Sequence, residues 1–191
     1  PVAYREDVDL GNHEMMDKIA SHPKLLGSPV ISPTHIETSI KWLDILTQTD
    51  KLAHVTLDPD NEAERAGSDA YMELLAEAAK RNVPIFYNSG AQDLSSGLRW
   101  QRKLGYNPWI RGTSPEEFAM FVEADRWHPN LPIIIGHGMG EDGLRLAKQT
   151  RNVYLEFSGS YPERGAIRKA IDEIGAERVV FGTDLDMITP A

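Results

Sequence analysis

Pro132-Ile133-Ile134-Ile135-Gly136-His137-Gly138, followed by Val179-Val180-Phe181-Gly182-Thr183-Asp184, decides how this chain is read. Each stretch is a short apolar run that stops at an ionisable residue beside glycine. A run of β-branched residues without alternation reads as a strand buried on both faces, which implies a parallel sheet covered by helices. A His and an Asp at the carboxyl ends of two such strands stand where barrel and open α/β enzymes keep their chemistry. The scaffold is therefore of an enzyme type.

Working outward, strands and helices alternate from about residue 28. The predicted strands are 28–32, 53–57, 83–87, 133–136, 153–157 and 179–182. Between them, Ile36, Ile40, Leu43 and Leu46 form one helical face, and Tyr71, Leu74, Leu75 and Ala78 another. Thr34 and Glu37 have capping-box spacing. Ser114-Pro115 opens a further helix, Gly143–Gln149 is helical, and Pro162 starts a helix ending near Gly175. A single helix, about Glu14–Ser21, precedes all of this. Six strands joined by helices make a chain of βαβ units with right-handed crossovers. Asn88 to Thr113 is a long connection, rich in glycine, that carries Arg99, Trp100, Trp109 and Arg111. Leaving the carboxyl end of a strand, it is expected to overhang that face and shape a pocket.

The 191 residues suit one domain, 1–191, and a net charge of -9 without clustered Lys or Arg argues against a nucleic-acid partner. There is no run of ~18 apolar residues to span a membrane. The chain lacks cysteine, so only His, Asp and Glu remain as metal ligands. No signal segment opens the sequence, and the expected compartment is the cytoplasm. A start at Pro1 rather than Met fits a processed or interior beginning.

His137 and Asp184 are the leading candidates for chemistry. Imidazole is the usual acid–base group near neutral pH and a common metal ligand. A carboxylate leaving an apolar strand must be paired, metal-bound or solvated. Asn88 ends its strand and can hydrogen-bond a substrate or orient a neighbour. Ser158 and Ser160 follow the 153–157 strand and offer hydroxyls to the same rim or serve its turn. Glu156, inside that strand, either faces inward with a function or lies on a solvated edge. His13, His22, His35, His54 and His128 occupy structural or surface positions. No HxH, HExxH, GxSxG, GxGxxG or Walker pattern occurs.

Asn12 with Ser21–Gly27, Pro84–Gly90 ("PIFYNSG"), Pro132–Gly140 ("PIIIGHGMG"), Asn152–Gly159 ("NVYLEFSG") and Ile174–Leu185 ("IGAERVVFGTDL") together resemble the amidohydrolase-related, metal-dependent TIM-barrel hydrolases. That group includes aminocarboxymuconate semialdehyde decarboxylase and related aromatic-acid decarboxylases. The resemblance implies an α/β fold of (β/α)8 TIM-barrel type, whose strands 3 to 8 are the six found here. It assigns His137 the proton-transfer role and Asp184 the metal or its water. Asn88 falls where the family carries a metal-binding His, and strands 1 and 2 with their HxH pair are not in this sequence. A full barrel takes about 250 residues, so two βα units are expected to be missing.

By the resemblance the cofactor is a divalent metal, with zinc first and manganese or iron next. The substrate is expected to be a small carboxylated or cyclic molecule, met by Asn88, Ser158, Arg111 and Trp109. Homo-oligomerisation is an expected way of covering open strand edges. Three readings follow: a metal-dependent hydrolase or decarboxylase, a homologue that binds ligand or partner without turnover, and a metal-independent enzyme with His137 and Asp184 as its acid–base pair.

Overall fold

The computed structural model describes residues 7–59, 66–88, 115–138, 140–158 and 165–183. Its elements alternate: α1 (Val8–Ala20), β1 (Val30–Ile31), α2 (Ile36–Thr47), β2 (Val55–Leu57), α3 (Asp69–Lys80), β3 (Ile85–Tyr87), α4 (Pro115–Trp127), β4 (Ile133–Ile135), α5 (Gly140–Gln149), β5 (Val153–Glu156), α6 (Ala166–Ile174) and β6 (Val179–Val180). The six strands form one sheet in the order β1-β2-β3-β4-β5-β6, every neighbouring pair parallel. This is the expected run of βα units, and it is part of a barrel.

The sheet has two unlike faces. Val55, Leu57, Ile85, Tyr87, Ile133, Ile135, Val153 and Leu155 point to one side and are fully buried. They share a core with Trp42 and Leu43 of α2, Tyr71, Leu74, Leu75 and Ala78 of α3, Met120, Phe121 and Ala124 of α4, and Leu146 and Ala147 of α5. Thr56, Phe86, Ile134 and Tyr154 stand level on the other side, where they are half-buried. In a closed (β/α)8 barrel that second face is the packed interior.

Polar anchors tie this core down. The Tyr87 hydroxyl donates to Glu117 Oε1 (2.7 Å) beneath the edge-on contact of Tyr87 with Phe121. The buried Asn12 amide donates to the Val30 carbonyl and accepts from the Val30 N–H, both at 2.8 Å. A side chain of α1 thereby does for β1 what a neighbouring strand would do, leaving neither backbone group orphaned.

Local expectations fail in two places. No capping box forms at Thr34: His35 is the cap residue of α2 and makes no side-chain cap hydrogen bond, and Thr34 Oγ1 pairs with Ser32 Oγ instead. The competing hydroxyl two residues back is the physical reason. The first helix begins at Val8 rather than near Glu14, because Asp7 caps it by accepting from the Leu10 N–H. The long 89–113 connection, the start of the Pro162 helix, Ser160 and the Ser114 cap lie outside the described residues.

Candidate active site

All strands run the same way, so their carboxyl ends share one rim. On the open face that rim carries Ser32 after β1, Asp58 after β2, Asn88 after β3, Gly136-His137 after β4 and Glu156 at the end of β5. The Asn88 N–H donates to the Leu57 carbonyl (2.8 Å) and the Gly136 N–H to the Tyr87 carbonyl (2.9 Å), so sheet hydrogen bonding continues up to the polar residues. Their backbones are therefore held by the scaffold.

His137 sits at a sharp turn, with φ of +61°. A left-handed conformation is unusual for a residue with a Cβ and costs about 1–2 kcal/mol. The flanking glycines are explained by neighbouring rings. A Cβ on Gly136 would lie 2.6 Å from the Phe86 ring, and one on Gly138, itself at φ +64°, would lie 2.7 Å from Phe157. The chain turns between two aromatic side chains and carries the imidazole to the rim.

The ring has two partners there. Its Nδ1 lies 3.2 Å from the Ser158 carbonyl oxygen, and its Nε2 lies 3.2 Å from Asn88 Oδ1. A carbonyl oxygen only accepts, so Nδ1 carries a hydrogen. Nε2 is then the position whose proton can come and go. The Asn88 amide suits either state: its oxygen accepts from Nε2–H of an imidazolium, and after a half-turn its NH2 donates to the neutral ring.

Of the residues singled out in the sequence, His137, Asn88 and Ser158 are brought together. Asp184, Arg111 and Trp109 lie outside the described residues. Glu156 resolves to the inward orientation: it is 3% exposed, and Oε2 accepts from the Ser158 hydroxyl (2.8 Å) and the His137 N–H (3.3 Å). Sequence reasoning passed over Asp58, which is buried one residue beyond β2. Its signal was the one that marked His137, an apolar run stopping at an ionisable residue. His54 sits at the opposite end of β2, tilted against Phe86 (ring centroids 5.7 Å apart), and burial lowers its pKa.

Among the described residues no three His, Asp or Glu side chains are grouped to hold a metal ion. The one imidazole at the rim already has an oxygen at each nitrogen, and Asn88 is a weak ligand beside a carboxylate or imidazole. These residues do not, by themselves, fit a divalent metal.

The sequence matches the Amidohydrolase family over residues 4–190. The chain belongs to that family. No curated protein matches it. Solved structures share its fold at low identity. One is 2,6-dihydroxybenzoate decarboxylase from Rhizobium, with 18% identity, a TM-score of 0.67, and 95% of this chain matched to 67% of that one. Another is 5-carboxyvanillate decarboxylase from Novosphingobium aromaticivorans DSM 12444, complexed with manganese, with 15% identity, a TM-score of 0.70, and 95% matched to 60%. A third is a dihydroxybenzoic acid decarboxylase from Polaromonas sp. JS666 with bound manganese, with 17% identity, a TM-score of 0.66, and 96% matched to 65%. The amidohydrolase chain thus spans about three fifths to two thirds of the length of these structures. No described helix is long and apolar enough to cross a membrane.

Proposed function

We propose that this family member acts on a small carboxylated aromatic or cyclic molecule, by decarboxylation or hydrolysis, with His137 moving the proton. The observation that carries the reading is the commitment of Nδ1 to the Ser158 carbonyl (3.2 Å), which leaves Nε2 facing the rim. In decarboxylation the bond to the carboxyl carbon breaks, CO2 leaves, and the electron pair left on the substrate carbon takes the proton from Nε2–H. In hydrolysis Nε2 takes a proton from the attacking water and returns it to the leaving group. Asn88 partners the ring in both states. Arg111 and Trp109 are proposed to meet the carboxylate and the ring of the substrate.

Similar structures with bound manganese support a divalent cation as the cofactor, manganese or zinc, taken up by Asp184 together with donors other than the described strand-end residues. Elemental analysis of the purified chain reads this directly: stoichiometric metal supports it, and its absence after metal supplementation rejects it. The catalytic reading is tested by following CO2 release from 2,6-dihydroxybenzoate and 5-carboxyvanillate. His137→Gln is expected to lower kcat by about 10²–10⁴-fold, the usual share of a positioned acid–base group. Turnover indifferent to His137 removes the proposal.

One observation favours the second reading, ligand binding without turnover. Asn88 Oδ1 lies 3.2 Å from Nε2, in the place where the family resemblance puts a metal-binding His. Saturable binding of the same acids without CO2 release supports it.

A further inference from the structure

We propose that Glu156 is a positioning residue for His137, and that Gly182 is glycine because the Glu156 carboxylate needs its space. The proposal rests on the reading of His137 as the proton-transfer group, though its structural half can be tested without turnover.

Glu156 ends β5 on the open face, at a place where burial of a lone carboxylate is costly. It is nevertheless 3% exposed and has no cation among its hydrogen-bond partners on the described residues. What it does have is a pair of donors on one oxygen. Oε2 accepts from the His137 backbone N–H and from the Ser158 hydroxyl, while the Ser158 carbonyl receives His137 Nδ1–H. The three hydrogen bonds close a circuit: Glu156 holds the backbone of His137 and the side chain of Ser158, and Ser158 holds the ring. An imidazole on a strained turn is thereby tied at both ends, its backbone conformation and its ring orientation governed by one carboxylate oxygen. Two donors on one buried oxygen suit a group that must offset the left-handed conformation of His137.

The other oxygen accounts for Gly182. Oε1 is buried with no hydrogen-bond partner among the described residues, and a Cβ built on Gly182 would stand 1.9 Å from it. The backbone of Gly182 is not left-handed, so among the described residues the demand on it is for room. A Cβ at 182 would force Oε1 to move, and on this proposal the shift draws the carboxylate away from its two donors. Two motifs far apart in sequence, "GHG" and "FGTD", are thus linked through a glutamate in a third.

The test uses ¹⁵N NMR of the His137 ring, hydrogen exchange of the His137 amide, and kcat and KM with the two acids, on the parent chain and three variants. In the parent, the ring carries hydrogen at Nδ1 and the amide exchanges slowly. In Glu156→Gln, whose amide oxygen can still accept both donors, the ring pattern persists and exchange stays within about threefold. In Glu156→Ala and Gly182→Ala the amide exchanges about tenfold faster or more, as the loss of a buried hydrogen bond implies. The ring then averages between tautomers, and kcat falls about tenfold with KM nearly unchanged, since orientation rather than binding is lost.

The proposal is overturned if both alanine variants lower the melting temperature and leave the His137 ring and amide unchanged, which is what a merely structural carboxylate would do. A Gln variant as disturbed as the Ala variant overturns it too. Should Glu156→Ala fail to fold, Gly182→Ala and Glu156→Gln decide. A parent without turnover defeats the function proposed for His137, while the NMR and exchange readouts still decide the role of Glu156.

Discussion

Strands β4 and β6 look alike in sequence and end differently in the fold. Ile133-Ile134-Ile135 lies between two parallel partners, with Ile133 and Ile135 fully buried under helices and Ile134 half-buried on the open face. Val179-Val180 pairs only with β5 among the described residues; both are half-buried, and Phe181 is 88% exposed. The expectation of burial on both faces therefore holds in part for β4 and fails for β6. An unalternating apolar run announces a parallel strand, but how much of it is buried depends on its neighbours. That dependence is tertiary.

The contrast can be broken by substitution. Ile135→Ala is expected to cost about 2–5 kcal/mol in urea denaturation, as deletion of a buried aliphatic side chain does. Val180→Ala on the half-open strand should cost about 1 kcal/mol or less, and equal costs for the two would show that β6 is packed as tightly as β4. At the other edge, Asn12→Ala leaves the Val30 N–H and carbonyl without their partners, for an expected loss of about 1–3 kcal/mol. A smaller effect sharpens the picture of the open face. Because burial lowers the pKa of His54 from its ordinary 6.5, the unfolded chain binds the proton more readily. Stability is then complete above about pH 6.5 and declines as the pH falls below it, and His54→Phe should flatten that part of the pH profile. Smallest of all, Phe181→Ser should shift stability by no more than about 0.5 kcal/mol, and a larger loss would mean that this ring is covered in solution.

Much of the candidate site could be read from strand ends. His137 and Asn88 were marked by position, and the structure sets them 3.2 Å apart. The sequence leaves Glu156 between two orientations, because a largely apolar strand does not show which face its single carboxylate takes. Asp58 was missed because its strand was read only as an apolar run. The link between Ser158 and His137 runs through a backbone carbonyl, which no side-chain pattern can report. The capping box at Thr34 misled for a related reason: spacing shows which bonds are available, and Ser32 offered a nearer one.

Local chemistry along the chain was enough to determine the alternation of strands and helices, their parallel arrangement, and the clustering of polar residues at one end of the sheet. Those features follow from periodicity, β-branching and the cost of burying ionisable groups, all local properties. Only the tertiary structure decided which face of each strand was sealed, which nitrogen of His137 carries the hydrogen, and why Gly182 faces Glu156. Each of these depends on contacts between residues tens of positions apart, whose distance and direction exist only once the sheet is assembled.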